Sequence, residues 1–131
     1  TGGLLTNMIT DVPGSSKYFK GGVISYTDEV KIANGVDASI IREFGAISNE
    51  TAQAMAQASC KINHSDIGVS ITGVAGPDPS EGHRPGVVFI GISSSQRTET
   101  FKRNIPGNRS LIKQRAAIAA LYELQRFLQC M

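Results

Sequence analysis

Two hydrophobic periodicities alternate along this chain of 131 residues, and this alternation restricts the fold more than any other feature. Stretches rich in β-branched residues, typical of strands, lie between stretches whose apolar residues recur at helical spacing. No internal repeat indicates a solenoid. Because strands and helices alternate, we predict one α/β domain of three layers over residues 1–131, with helices on both faces of a mixed central sheet.

The predicted elements follow from these periodicities and from capping residues. Helices are predicted over residues 4–9 and 28–34, after a cap at Asp37, from Ser48 through Ala58, and from a cap at Asn108 to Leu128. Strands are predicted over residues 21–27, 67–72, 86–92 and 98–102, the last two as a hairpin. Glycine and proline interrupt residues 73–82, so we predict the longest loop there.

Charge and cysteine content exclude several classes of partner. Thirteen Lys and Arg residues against eleven Asp and Glu give a net charge of +2, and no basic run is longer than Lys102-Arg103. This balance does not predict a nucleic-acid or membrane partner. Cys60 and Cys130 are far apart and lack metal-ligand spacing, which favours a reducing compartment. We therefore expect a cytoplasmic protein without a bound metal.

Glycine accounts for 14 residues, and three glycine-bearing segments lie at element boundaries: Thr1-Gly2-Gly3, residues 72–76 and Gly107-Asn108-Arg109. Glycine lets backbone N–H groups approach a phosphate, and Arg109 adds a bidentate donor. Taken singly, each segment is more typical of an ordinary turn or cap, because no complete phosphate-binding motif is present.

One possible nucleophile and one possible base lie close in sequence. Ser16 follows a glycine turn, and Lys31 follows Ser16 with Tyr26 between them. A strand and one helical turn would fold Lys31 back onto Ser16, where partial desolvation would lower the lysine pKa and let the neutral amine take the serine proton. The same spacing is compatible with a solvated lysine and a capping serine, so both interpretations stay open.

A set of specific motifs follows in order along the whole chain. They are residues 1–5 (TGGLL), 10–16 (TDVPGSS), 19–26 (FKGGVISY), Lys31, 45–48 (GAIS), 72–78 (TGVAGPD), Pro85-Gly86 and Gly107-Asn108-Arg109. In order and spacing they closely resemble the C-terminal domain of the CinA competence/damage-inducible family.

The resemblance implies an amidohydrolase that converts nicotinamide mononucleotide and water to nicotinate mononucleotide and ammonia, without a metal or redox cofactor. Carried over by motif, Ser16 would be the nucleophile, Lys31 its general base, and Tyr26 an orienting or proton-relaying partner. Residues Thr72, Gly73 and Gly76 would hold the substrate. Phosphate or ribose would be bound by Thr1, Gly2, Gly3 and Arg109.

Two departures from the family pattern qualify these expectations. The family has a strand ending in Glu-Ser-Cys just before Thr-Gly-Gly, so we expect this chain to be a domain shortened at its N-terminal side. The loop over residues 79–86 also differs, and His83 or Arg84 is either a phosphate contact or a solvated side chain. A non-catalytic nucleotide-binding or regulatory module attached to another domain is therefore the alternative. Alanine-rich helices and an unpaired sheet edge favour a homodimer.

Overall fold

The computed structural model describes residues 1–131 and contains five α-helices and three strands. The helices are α1 (Leu4–Thr10), α2 (Asp28–Ala33), α3 (Ala38–Phe44), α4 (Asn49–Asn63) and α5 (Arg109–Gln129), and a short 3-10 turn covers Ser15–Lys17. The strands are β1 (Gly68–Gly73), β2 (Val87–Ser93) and β3 (Thr98–Asn104). None of the helices combines the length and the apolar character needed to cross a membrane.

The two long helices begin where their capping residues predict. Ser48 Oγ accepts a hydrogen bond from the N–H of Thr51 at 3.1 Å at the start of α4. Asn108 Oδ1 accepts one from the N–H of Leu111 at 3.0 Å at the start of α5. Each such contact satisfies an N–H group that the helix itself cannot pair, which stabilises the helix by about 1 kcal/mol.

The sheet has the order β1-β2-β3, and both pairings are antiparallel. The α/β class is confirmed, whereas the prediction of a mixed sheet is wrong. The strand predicted over residues 21–27 is not formed, since the sheet contains only β1, β2 and β3. Its apolar side chains remain accessible, with Ile24 59% exposed.

The central strand β2 is buried on both faces, which produces the predicted three layers. On one face Val88, Ile90 and Ile92 pack with apolar residues of α5. On the other face Val87 and Phe89 pack with Ala52 of α4. The two helices therefore enclose the sheet, because successive side chains of a strand point to opposite faces.

Helix α4 lies close to the sheet because glycine occupies two strand positions that face the helix. A Cβ atom on Gly91 would come within 2.3 Å of the carbonyl oxygen of Ala52, and one on Gly68 within 2.2 Å of that of Ala56. Ser70 Oγ donates a hydrogen bond to the same Ala52 oxygen. Only glycine permits this short distance between α4 and the strands, and the helix holds β1 in place. The edge of β1 that faces away from β2 pairs with no strand.

Candidate functional site

A cleft of about 700 Å³ is lined by β1, by residues 18–26, and by side chains of α1, α4 and α5. Most of its lining is hydrophobic, but several of the predicted site residues also line it: Thr1, Gly2, Gly3, Tyr26 and Lys31. The fold thus brings these five predicted positions to one cavity, which we call the large cleft.

Lys31 lies on α2 with its side chain turned inwards, so that only 6% of its surface is exposed. Its Nζ donates a hydrogen bond to the carbonyl oxygen of Ser25 at 2.8 Å. Burial lowers the pKa of Lys31, while the carboxylates of Asp28 and Glu81 act in the opposite direction. A lysine in such surroundings loses its proton more readily than a solvated one, as a general base requires.

Arg109, the first residue of α5, joins two other predicted site residues. Its Nη1 donates a hydrogen bond to the carbonyl oxygen of Gly76 at 2.6 Å, and its Nη2 donates one to the hydroxyl oxygen of Tyr26 at 3.2 Å. The guanidinium therefore connects the loop after β1 to the segment before α2.

Ser16 lies apart from this group. It is exposed within the turn Ser15–Lys17, forms no hydrogen bond with Lys31 and does not line the large cleft. The contact that a Ser16–Lys31 dyad requires is absent from this conformation.

A second cavity of about 500 Å³, the small cleft, adjoins the large one, because Thr1, Gly2 and Gly3 line both. It also contains Lys113 of α5, which the sequence analysis missed. Lys113 Nζ lies 3.6 Å from the point where a Cβ atom on Gly2 would stand. The available signal was its position one helical turn after Arg109, since residues four apart share a helix face.

The three residues expected to hold the substrate are engaged in protein contacts. Thr72 Oγ1 donates a hydrogen bond to the carbonyl oxygen of Ala46 at 2.7 Å. Gly73 approaches the backbone of β2, where a Cβ atom would lie 2.7 Å from the oxygen of Val87. The carbonyl oxygen of Gly76 accepts a hydrogen bond from Arg109. None of these three residues lines either cleft.

Glu81 and His83 fix the loop over residues 79–86 against the turn before α4, a role the sequence analysis did not identify. Both carboxylate oxygens of Glu81 accept backbone hydrogen bonds, from Ala46 at 3.1 Å and Ile47 at 2.8 Å. His83 Nε2 lies 3.0 Å from the carbonyl oxygen of Ile47. These contacts hold the loop on the protein without directing His83 to a cleft. No three His, Cys, Asp or Glu side chains cluster closely enough to hold a metal ion.

Comparisons with known proteins agree on one family. The family model described as the CinA C-terminal domain matches residues 1–128. A putative competence-damage inducible protein of Bacillus velezensis is 50% identical over 118 residues, which cover 89% of this chain and 28% of that protein. A protein of the same description from Halothermothrix orenii is 43% identical over 132 residues, which cover 98% of this chain and 32% of that protein. The chain thus spans about a third or less of these relatives' length.

Solved structures share the fold. The crystal structure of the competence damage-inducible protein A (ComA) from Klebsiella pneumoniae has a TM-score of 0.94 at 25% identity, covering 98% of this chain and 81% of that one. The crystal structure of the competence or damage-inducible protein from Enterobacter asburiae has a TM-score of 0.93 at 26% identity, covering 97% of this chain and 81% of that one.

Proposed function

This chain belongs to the CinA C-terminal domain family, and we propose that it hydrolyses the amide of nicotinamide mononucleotide to nicotinate mononucleotide and ammonia. The observation that carries the proposal is the buried amine of Lys31, whose lowered pKa and position on the large cleft suit a general base. The relatives' names describe competence and damage induction, so the reaction itself is our inference from the family resemblance and this geometry.

In the proposed reaction, Lys31 accepts the proton of a protein hydroxyl while the oxygen of that hydroxyl attacks the amide carbon. The tetrahedral intermediate collapses as the C–N bond breaks, and the nitrogen leaves as ammonia after taking a proton from Lys31. Water then attacks the acyl-enzyme ester with the same lysine as base, which releases the carboxylate product and restores the hydroxyl. Backbone N–H groups would stabilise the negative oxygen in both steps.

The family resemblance assigns the attacking hydroxyl to Ser16, and that assignment requires Ser16 to come within hydrogen-bond distance of Lys31, with which it forms no hydrogen bond in this structure. The hydroxyl residues that already share the large cleft with Lys31 include Ser25 and Tyr26. Ser25 is in contact with the lysine through its carbonyl oxygen. Comparing Ser16→Ala with Ser25→Ala therefore tests the identity of the nucleophile separately from the role of the base.

The deciding experiment is ammonia release from nicotinamide mononucleotide by the full-length protein and by Lys31→Ala. We expect turnover by the wild type and its loss, by about 100-fold or more, in the variant. A variant that retains the wild-type rate would show that Lys31 is not the base. Loss of ammonia release in Ser16→Ala supports a dyad of Ser16 and Lys31. Full activity in Ser16→Ala would show that another hydroxyl is the nucleophile.

A second function, nucleotide binding without turnover, is favoured by one observation: Ser16 and Lys31 do not meet. A binding module would retain the clefts and their cations but need no activated hydroxyl. Saturable binding of nicotinamide mononucleotide without ammonia release by the full-length protein would support this alternative and exclude the amidohydrolase.

A further inference from the structure

Lys113 is the one cation near the start of α5 that has no partner within the protein. Arg109 donates to Gly76 and Tyr26, and Arg115 Nη1 donates to the carbonyl oxygen of Pro106 at 2.6 Å. Lys113 takes part in no hydrogen bond or ion pair, although it is partly buried. Its side chain has thus lost some hydration without gaining an internal acceptor, and its ammonium group is available to a ligand.

The small cleft around Lys113 contains no acidic residue, and Lys113 supplies its one charged side chain. Gly2 and Gly3 also line this cleft, and their N–H groups donate to no acceptor in the protein. Such surroundings favour an anion.

We propose that Lys113 binds the phosphate group of the nucleotide substrate in the small cleft and thereby selects phosphorylated nucleosides over unphosphorylated ones. This inference rests on the proposed function, because it places the reacting amide in the large cleft beside Lys31. The two cavities share Thr1, Gly2 and Gly3, so the proposal places the nucleotide across these residues, with its amide towards Lys31 and its phosphate towards Lys113. Lysine suits this role because its compact ammonium group binds phosphate as a point charge.

The assignment separates the roles of two cations that sequence reasoning treats alike. Two N–H groups of Arg109 are directed to the protein at Gly76 and Tyr26, so Arg109 is a positioning residue. Lys113 has no competing partner and carries the charge that meets the phosphate.

The test compares Lys113→Ala, Lys113→Arg and the control Lys61→Ala in the full-length protein. Lys61 is an exposed lysine on α4 that lines neither cleft. The readout is the ratio of kcat/KM for nicotinamide mononucleotide to kcat/KM for nicotinamide riboside, the same molecule without its phosphate. We expect Lys113→Ala to lower this ratio by about 10- to 100-fold, mainly through KM, because a charge-assisted hydrogen bond made throughout the reaction is lost.

Lys113→Arg, which keeps the charge, should restore most of the ratio, and Lys61→Ala should match the wild type. An unchanged ratio in Lys113→Ala overturns the proposal. A lowered ratio that Lys113→Arg does not restore also counts against it, because the charge would then not be the determinant. Thermal unfolding of each variant shows whether a loss reflects misfolding, and in that event Lys113→Gln replaces Lys113→Ala.

A binding measurement separates failure of this inference from failure of the proposed reaction. Calorimetric titration with ribose 5-phosphate, and with ribose as control, needs no turnover. If the wild type releases no ammonia but Lys113→Ala weakens ribose 5-phosphate binding by about 10-fold or more, the phosphate site stands and the reaction does not. If ammonia is released and neither binding nor the substrate ratio depends on Lys113, the reaction stands and the phosphate site does not.

Discussion

The ammonium group of Lys31 lies 2.8 Å from the carbonyl oxygen of Ser25, in a position where only 6% of the lysine surface is exposed. A single neutral acceptor replaces little of the hydration that the charged form loses. The protonated lysine is therefore destabilised relative to the neutral amine, and this has consequences for both activity and stability.

The first prediction concerns the pH dependence of turnover. Because burial lowers the pKa of Lys31, the neutral amine forms at a lower pH than in a solvated lysine, whose pKa is about 10.4. We expect kcat/KM to rise with pH and to level off below that value. Ammonia release measured across a pH series checks this, and a rate that continues to rise until an ordinary lysine has titrated would contradict it.

The second prediction concerns stability and the same lysine. Between the lowered pKa of the folded state and the usual pKa of the unfolded state, the unfolded chain binds more protons, so the free energy of unfolding rises with pH. Lys31→Met removes this titration. The stability of Lys31→Met relative to the wild type should therefore be greatest below the lowered pKa of the folded state and should fall as the pH rises from there towards about 10.4.

Urea titration of the wild type and Lys31→Met at several pH values measures the difference between their free energies of unfolding. Groups that titrate alike in both proteins do not contribute to this difference. A difference that stays constant with pH would show that burial does not perturb Lys31. Lys61→Met, at an exposed position on α4, is the matched control and should show no such trend.

The third prediction concerns the bridge formed by Arg109. Arg109→Ala removes the hydrogen bonds to Gly76 and Tyr26 and should lower the free energy of unfolding by about 1 kcal/mol. Tyr26→Phe should cost less, and the double variant should cost less than the sum, because one hydrogen bond is lost in both single variants. Tyr18→Phe is the control, since Tyr18 is exposed and its hydroxyl makes no hydrogen bond. Strict additivity in urea titrations would show that the Arg109–Tyr26 contact contributes nothing.

The fourth prediction concerns Glu81 and the glycine it faces. Gly45 has φ 83°, and a Cβ atom there would lie 2.8 Å from Oε1 of Glu81. Gly45→Ala should therefore destabilise the protein by about 1–3 kcal/mol through backbone strain, with the clash adding to it. Glu81→Ala should cost about 1 kcal/mol by leaving the N–H groups of Ala46 and Ile47 without their acceptor.

The double variant Gly45→Ala with Glu81→Ala should lose less stability than the two single variants combined, because removing the carboxylate relieves the clash. Urea titration of the four proteins measures this coupling. A loss equal to or greater than the sum would mean that the close approach of Glu81 adds nothing to the backbone strain of Gly45→Ala.

The fifth prediction concerns the contact between α4 and the sheet. Gly91→Ala would place a methyl group 2.3 Å from the carbonyl oxygen of Ala52, and backbone atoms cannot move aside without shifting the helix. We expect a loss of about 3 kcal/mol. Gly22→Ala is the control: its nearest obstacle is the hydroxyl of Thr6, which can rotate away. Equal effects of the two substitutions on the urea midpoint would contradict this interpretation.

Local signals in the sequence predicted the elements of this fold but not all of their partners. Ser48 and Asn108 mark the starts of α4 and α5, because capping depends only on residues within one turn. Residues 21–27 have strand-forming composition, yet a ladder needs a neighbour, and pairing is decided by residues distant in sequence. The prediction of a mixed sheet was wrong for the same reason.

The candidate site was predictable to a similar extent. Lys31 and Tyr26 were identified by motif, and the structure places both on the large cleft. Glu81 was missed because its role arises from a contact across the fold: it binds the N–H of Ala46 from 35 positions away. Lys113 was missed because the fold brings it close to Gly2, which is distant in the sequence. The proximity of Ser16 to Lys31 was inferred from their spacing and from the elements predicted between them, which do not determine where a turn points.

The bridge made by Arg109 joins residues that are distant in the sequence. Arg109 contacts Gly76 across 33 positions and Tyr26 across 83, so both contacts close long loops. Long-range contacts form after local ones because the entropy of loop closure opposes them. Until α5 docks, Arg109 joins neither Gly76 nor Tyr26, so this bridge does not yet connect the loop after β1 to the segment before α2.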